Sequence, residues 1–99
     1  MYYGSEPTVR ISGFEWDEGN VLHLALGHGI EAEEAEEVLA VAPLIRKTRR
    51  GHYAAFGRTR AGRLLVLVFE AKGQGLVRVI TGWDMNAAER RYYLRHREA

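Results

Sequence analysis

Residues 63–70 read Arg-Leu-Leu-Val-Leu-Val-Phe-Glu, and this short apolar run is the strongest indication of the fold. Every position from Leu64 to Phe69 is apolar, and the run is rich in β-branched and aromatic side chains. Such a run is typical of a strand buried on both faces, and it is far too short to span a bilayer. We therefore place it at the centre of a sheet with both faces covered.

Two further strands are predicted around this run, His52–Thr59 before it and Leu76–Thr81 after it. The connections, residues 60–62 and 71–75, are short, so the three strands form an antiparallel meander. Leu44–Lys47 is predicted as a short edge strand. Residues 9–16 are predicted to be extended, with Gly13 as a break or a bulge.

The segment between Trp16 and Ile30 predicts a first helix. Asp17 is a suitable N-cap for a helix to about Leu26, where Gly27 and Gly29 would stop it. His28, between these glycines, is expected to satisfy free carbonyls at the helix end.

Two more helices are indicated by spacing. In residues 32–42 the apolar side chains recur on one helical face, and Pro43 ends the pattern. Asn86 and Glu89 have the spacing of a capping box ahead of a helix through Arg97. The expected fold is therefore a single α+β domain over residues 1–99, with residues 1–8 as a flexible tail.

Charge is divided along the chain. Residues 1–45 hold nine acids and one base, for a net of −8, and residues 46–99 hold thirteen bases and four acids, for a net of +9. A basic segment of this kind is typical of a surface that binds a polyanion. The acidic first half would repel the same polyanion, so we expect the polyanion to contact the basic side of the molecule alone. A surface whose solvated charges merely happen to be segregated would give the same composition.

The absence of cysteine excludes disulfides, thiolate nucleophiles and cysteine-based zinc sites. The first residues have neither a basic nor an apolar segment of a signal peptide. We therefore expect a cytoplasmic protein with no membrane partner, no cofactor and no metal.

Arginines on the predicted sheet are the strongest functional signal. Arg58, Arg63 and Arg78 belong to strands or their ends, and a sheet face that carries several like charges needs a functional reason. The guanidinium fork matches phosphate oxygens. Further candidates for binding RNA are Arg46, Lys47, Arg49, Arg50, Trp83 and Arg91, because cations beside aromatic rings are typical of single-stranded RNA surfaces.

Two residues are candidates for acid–base chemistry. His52 begins a strand, and imidazole exchanges protons near neutral pH. Glu70, at the end of the central strand, is a rival base. His23 and His28 are five residues apart, which takes a helix past one face, so they are a poor metal pair.

The chain resembles the BrnT family of toxins from bacterial type II toxin–antitoxin systems. The first part of the resemblance rests on Phe14-Glu15-Trp16-Asp17, His28-Gly29-Ile30 and Glu33-Glu34-Ala35. The second part rests on Phe56-Gly57-Arg58-Thr59, Gly62-Arg63-Leu64-Leu65-Val66, Arg78-Val79-Ile80-Thr81, Asp84-Met85-Asn86, Glu89-Arg90-Arg91 and Tyr93. The order and spacing of these segments carry the resemblance.

This resemblance implies a RelE-like fold, endoribonuclease activity that arrests translation, and an antitoxin that covers the basic surface. The implied chemistry is metal-independent attack by the RNA 2′-hydroxyl on the adjacent phosphorus. Two positions depart from the family pattern. Leu26-Gly27 stands where a base usually precedes His-Gly, and Gly82-Trp83 stands where Ala-Arg usually follows the last strand.

Two other function classes stay open at this point. The chain could be a non-catalytic module that binds RNA or an acidic protein through the same sheet. It could also be an interaction protein whose acidic helix and basic sheet pair with copies of itself.

Overall fold

The computed structural model describes residues 9–41, 43–49 and 51–96. Its elements are β1 (Gly13–Phe14), α1 (Glu18–His28), α2 (Ala32–Ala40), β2 (Leu44–Arg49), β3 (His52–Arg58), β4 (Leu64–Gly73), β5 (Leu76–Asp84) and α3 (Ala87–His96). The five strands form one sheet in the order β1-β5-β4-β3-β2. The α+β class, the meander and the central position of the apolar strand are confirmed.

The first strand differs from its prediction. Only Gly13 and Phe14 are paired, and they run parallel to Leu76 and Val77 of β5. The sheet is therefore mixed at this edge. α1 and α2 separate β1 from the meander along the chain, and this long connection lets β1 run parallel to the strand with which it pairs.

The stop of α1 at Gly27 was predicted wrongly, because this glycine lies within the helix. The helix ends at Gly29, which has a φ of 65° and the left-handed conformation that glycine adopts without strain. The N–H groups of Gly29 and Ile30 bond to the carbonyls of Ala25 and Leu24 at 3.0 and 2.9 Å. Backbone, not the His28 imidazole, satisfies these carbonyls.

Local signals elsewhere agree with the structure. Asn86 and Glu89 form the expected capping box of α3, with bonds of 2.9 and 2.8 Å. Gln74 and Gly75 join β4 to β5 with φ values of 56° and 81°, as a tight hairpin turn requires. The connection is shorter than predicted because β4 continues to Gly73. The predictions for residues 1–8, Ala42, Arg50 and Arg97 concern positions outside the described residues.

The core is divided by the sheet into two clusters. On one face, α1 and α2 pack on Leu65, Leu67 and Phe69. On the other face, α3 packs on a smaller cluster that includes Leu64 and Val66. Val68, next along that second face, is only half-buried. The central strand is thus fully covered on one side, whereas on the other α3 covers one half and leaves the other half open.

Within the described residues no helix is long and apolar enough to cross a membrane.

Candidate functional site

Four of the predicted site residues form a row across the sheet. Arg49 of β2 lies opposite His52 of β3, which lies opposite Glu70 of β4, which lies opposite Arg78 of β5. Directly paired residues share a sheet face. Pairing between strands therefore gathers side chains that are up to 29 positions apart in the sequence.

The row lies on the half of the sheet that α3 leaves open. His52 and Val68 are on the same face as Phe56 and Val66, because side chains alternate along a strand. A cleft of about 330 Å³ opens there. It is lined by Thr48, Arg49, His52, Val68, Ile80 and Thr81. A floor of aliphatic side chains with polar groups at its rim suits a small planar ligand group.

His52 carries an unsatisfied polar atom at the cleft. Its Nδ1 is shielded from solvent and has no hydrogen-bond partner within the described ranges. Buried polar atoms are nearly always paired with protein or with ordered water, so this nitrogen has room for a further hydrogen-bond partner. A ligand in the cleft would provide the missing partner.

Glu70 and Arg78 bring opposite charges to the row. The Glu70 carboxylate is 3.7 Å from Lys72 Nζ. Arg78 Nη1 donates to Asp17 Oδ2 at 2.9 Å and to Glu15 Oε1 at 3.3 Å. The hydrogen bond with Arg78 lowers the pKa of Asp17, and the same bond raises the pKa of Arg78. Arg78 is thus held at the sheet edge by acids that precede and begin α1.

The Arg63 side chain connects several elements of the fold through hydrogen bonds. Its Nε and Nη2 donate to the two carboxylate oxygens of Asp84 at 2.8 and 2.9 Å, and its Nη1 donates to Glu34 Oε1 at 3.1 Å and to the Gly29 carbonyl at 2.8 Å. The bond to Asp84 raises the pKa of Arg63 and lowers that of Asp84. One guanidinium therefore joins β5, α2 and the end of α1.

Arg58 lies in different surroundings. Its side chain is exposed and lines a second pocket of about 300 Å³ between the end of α2 and α3. Glu37, Arg60 and Tyr93 share this pocket. Arg58, Arg63 and Arg78 therefore bind or face different partners among the described residues, and the structure does not assemble them into one cluster.

The predicted RNA-binding residues divide into two sets. Arg46 Nε donates to the hydroxyl of Tyr92, and its guanidinium lies 5.5 Å from the centre of that ring. Trp83 packs on the α3 cluster and donates its indole N–H to Glu89. Lys47, Arg49 and Arg91 have exposed side chains. Arg50 lies outside the described residues.

Acids of the first half therefore contact bases of the second half. Glu34 meets Arg63, and Asp17 and Glu15 meet Arg78. At Arg63 and Arg78, therefore, the acidic and the basic parts of the sequence are in contact in the folded protein and are not separated from each other.

Sequence reasoning missed one cluster. His23 and His28, rejected as a metal pair, have ring centres only 5.3 Å apart, and both approach the hydroxyl of Thr81. A separation of five residues does not keep the two side chains apart, because both imidazoles approach the same hydroxyl of Thr81 in β5. Across the described ranges no group of three or more metal-ligating side chains is found.

Comparison with known proteins finds a similar fold among the solved structures. No family model matches the chain, and no curated protein matches it. Among solved structures, the Brucella abortus ribonuclease toxin BrnT is similar with a TM-score of 0.60. The two chains are 20% identical, and the match covers 80% of this chain and 99% of the toxin. At that identity the likeness establishes the fold alone, and the fold expected from the sequence resemblance is confirmed.

Proposed function

We propose that this chain is the toxin of a bacterial type II toxin–antitoxin system and that it inhibits translation by cleaving RNA. The observation that carries the proposal is the cleft on the open half of the sheet, which is lined by His52, the residue that pairs directly with Glu70. A fold shared with a ribonuclease toxin supports it. Exposed Arg49, which lines the cleft, supplies positive charge that RNA needs.

The chemistry proposed for the cleft requires no metal. A base removes the proton of an RNA 2′-hydroxyl, and the oxygen attacks the adjacent phosphorus. The bond to the 5′-oxygen breaks, a cyclic phosphate forms, and an acid gives a proton to the departing oxygen. His52 or Glu70 serves as the base, and Arg49 stabilises the charge that develops on the phosphate.

The other arginines receive different roles in this proposal. Arg78 positions the row from the sheet edge while it is bound to Asp17. Arg63 holds three elements together. Either guanidinium would contact phosphate only after it exchanged a carboxylate for it. Arg58, in its separate pocket, would bind RNA away from the reacting bond.

A specific observation favours a second candidate, a binding module without catalysis. The guanidinium groups of Arg63 and Arg78 are already paired with carboxylates, and the indole N–H of Trp83 is bound to Glu89. The open sheet face could then serve recognition alone. In both cases the proposed partners are RNA and an antitoxin that covers the basic surface, and self-association stays a third proposal.

Expression of the chain alone in bacterial cells tests the proposal. We expect slow growth and fragmented bulk RNA, both relieved by His52→Gln with Glu70→Gln. Arg95→Ala is the matched control, since it removes an exposed charge of α3 outside the cleft. Normal growth with intact RNA at confirmed expression would overturn the toxin proposal. RNA binding without cleavage by the purified protein would then select the binding module.

A further inference from the structure

Two histidines of α1 converge on one hydroxyl group of β5. His23 Nε2 is 3.1 Å from Thr81 Oγ1, and His28 Nε2 is 3.3 Å from the same oxygen. The imidazole rings meet edge to face. A threonine hydroxyl has one proton to donate and lone pairs to accept, so it can link the two rings in a chain of hydrogen bonds.

Neither imidazole is needed to build the fold. His23 is exposed and His28 is half-buried, and neither belongs to the two core clusters. The end of α1 is capped by the backbone of Gly29. Arg63 donates to the carbonyls of His28 and Gly29 at 3.4 and 2.8 Å. The turn that carries His28 is therefore fixed by other groups, and its side chain is positioned against Thr81.

Thr81 also belongs to the cleft. It lines the same opening as His52 and Arg49, whereas His23 and His28 do not line it, so Thr81 is the residue that links the histidine pair to the cleft. The charged groups around the pair are Arg63 with its partners Asp84 and Glu34 on one side, and Arg49 with His52 on the other.

We propose that His23 and His28, linked through Thr81, are the second proton-transfer group of the cleft; this inference rests on the proposed RNA cleavage. The His52–Glu70 side takes the proton of the 2′-hydroxyl. The Thr81 hydroxyl gives its proton to the 5′-oxygen as the bond of that oxygen to phosphorus breaks, and it takes a proton from the pair, which starts as imidazolium. The neutral pair regains a proton from water before the next turnover. Two ends of the cleft thus supply the base and the acid.

Variants that keep hydrogen bonding but cannot carry a proton test this inference. Purified wild type, His23→Gln, His28→Gln and the double variant are compared in cleavage of a single-stranded RNA across the pH range in which imidazole titrates. His96→Gln is the matched control, because the His96 ring packs against Tyr92, at 4.3 Å between ring centres, outside the cleft. Affinity for a non-cleavable RNA with 2′-deoxy substitution and the melting temperature are measured on every variant.

We expect the double variant to lose about 10²- to 10⁴-fold in cleavage rate, the range that general acid–base groups contribute. Its affinity and melting temperature should match the control. The fall in rate at alkaline pH, where imidazolium is lost, should disappear in the double variant. Added imidazole should restore part of the rate of His28→Ala, which a purely structural role would not allow.

The outcomes separate the two proposals. Cleavage by the double variant close to the wild-type rate, with the same pH profile, would overturn the histidine pair and leave the ribonuclease standing. A loss of rate that keeps the alkaline fall and resists imidazole would show a structural role and would also overturn the pair. Absence of cleavage by the wild type would overturn the proposed function together with this inference.

Discussion

Arg63 donates two parallel hydrogen bonds to Asp84, with Nε 2.8 Å from Oδ1 and Nη2 2.9 Å from Oδ2. The same guanidinium also reaches Glu34 and the carbonyl of Gly29. A residue that the sequence marks as a phosphate ligand therefore joins three elements inside the free protein. This arrangement predicts that Arg63 affects stability before it affects binding.

Substitution of Arg63 by alanine should reduce the free energy of unfolding by about 1–3 kcal/mol, because it removes the hydrogen bonds that one charged guanidinium makes to Asp84, Glu34 and Gly29. Arg58→Ala, at an exposed side chain, should change it by no more than about 0.5 kcal/mol. Arg63→Lys should not restore the loss, since an ammonium cannot form the planar fork. Urea denaturation measures all three. Equal stability of the alanine variants would contradict the structural role.

Low pH should weaken the ion pair between Arg63 and Asp84 because it protonates the Asp84 carboxylate. The hydrogen bond with Arg63 holds the pKa of Asp84 below its ordinary value of 3.8. A lowered folded-state pKa contributes stability above the unfolded pKa, and this contribution is lost as pH falls through the folded value. Asp84→Asn should therefore be less stable than wild type at neutral pH, and the difference should shrink below about pH 4. Melting temperatures across this range provide the test, and a constant difference would contradict it.

Two glycines should respond oppositely to alanine. A Cβ at Gly82 would lie 2.7 Å from Leu67 Cδ2 and 2.9 Å from the carbonyl oxygen of Val66. Gly82→Ala should cost about 1–3 kcal/mol of stability through this overlap with backbone. A Cβ at Gly27, within α1, meets nothing within 4 Å, so Gly27→Ala should stabilise by about 0.5–1 kcal/mol. Denaturation of both variants checks the pair, and a stabilised Gly82→Ala would refute the contact.

Any RNA cleavage should persist in EDTA. The described residues hold no group of three or more metal-ligating side chains, and the proposed reaction uses only the substrate hydroxyl and protein groups. Cleavage before and after chelation, with the same RNA and enzyme concentration, measures this. Activity that vanishes in EDTA and returns with a divalent ion would overturn the mechanism.

Charge reversal should locate the RNA surface. Lys47→Glu with Arg49→Glu, at exposed positions of β2 of which Arg49 lines the cleft, should weaken RNA binding strongly and reduce its dependence on salt, because fewer phosphates are neutralised. Glu18→Lys with Glu33→Lys, at exposed positions of α1 and α2, changes net charge equally in the opposite direction. This second pair should leave affinity unchanged or slightly higher. Equal weakening by both pairs would contradict the assignment of the cleft side and favour self-association.

The sequence by itself determined the elements whose signals are local. The apolar run from Leu64 to Phe69 predicted the central strand, the short connections predicted the meander, and Asn86 with Glu89 predicted the start of α3. These signals are readable because a strand or a cap is defined by residues within a few positions of each other. The same reasoning predicted that the arginines could bind phosphate, but it could not predict which side chains of this protein they would contact.

Only the tertiary structure decided which half of the sheet stays open and which side chains meet there. Thr81 lies 58 residues from His23, and Arg78 lies 61 residues from Asp17. Contacts at such separations depend on how helices pack on the sheet, and periodicity along the chain carries no information about them. The packing of α3 over Leu64 and Val66, with Val68 left half-covered, creates the cleft, because one short helix cannot cover a whole sheet face.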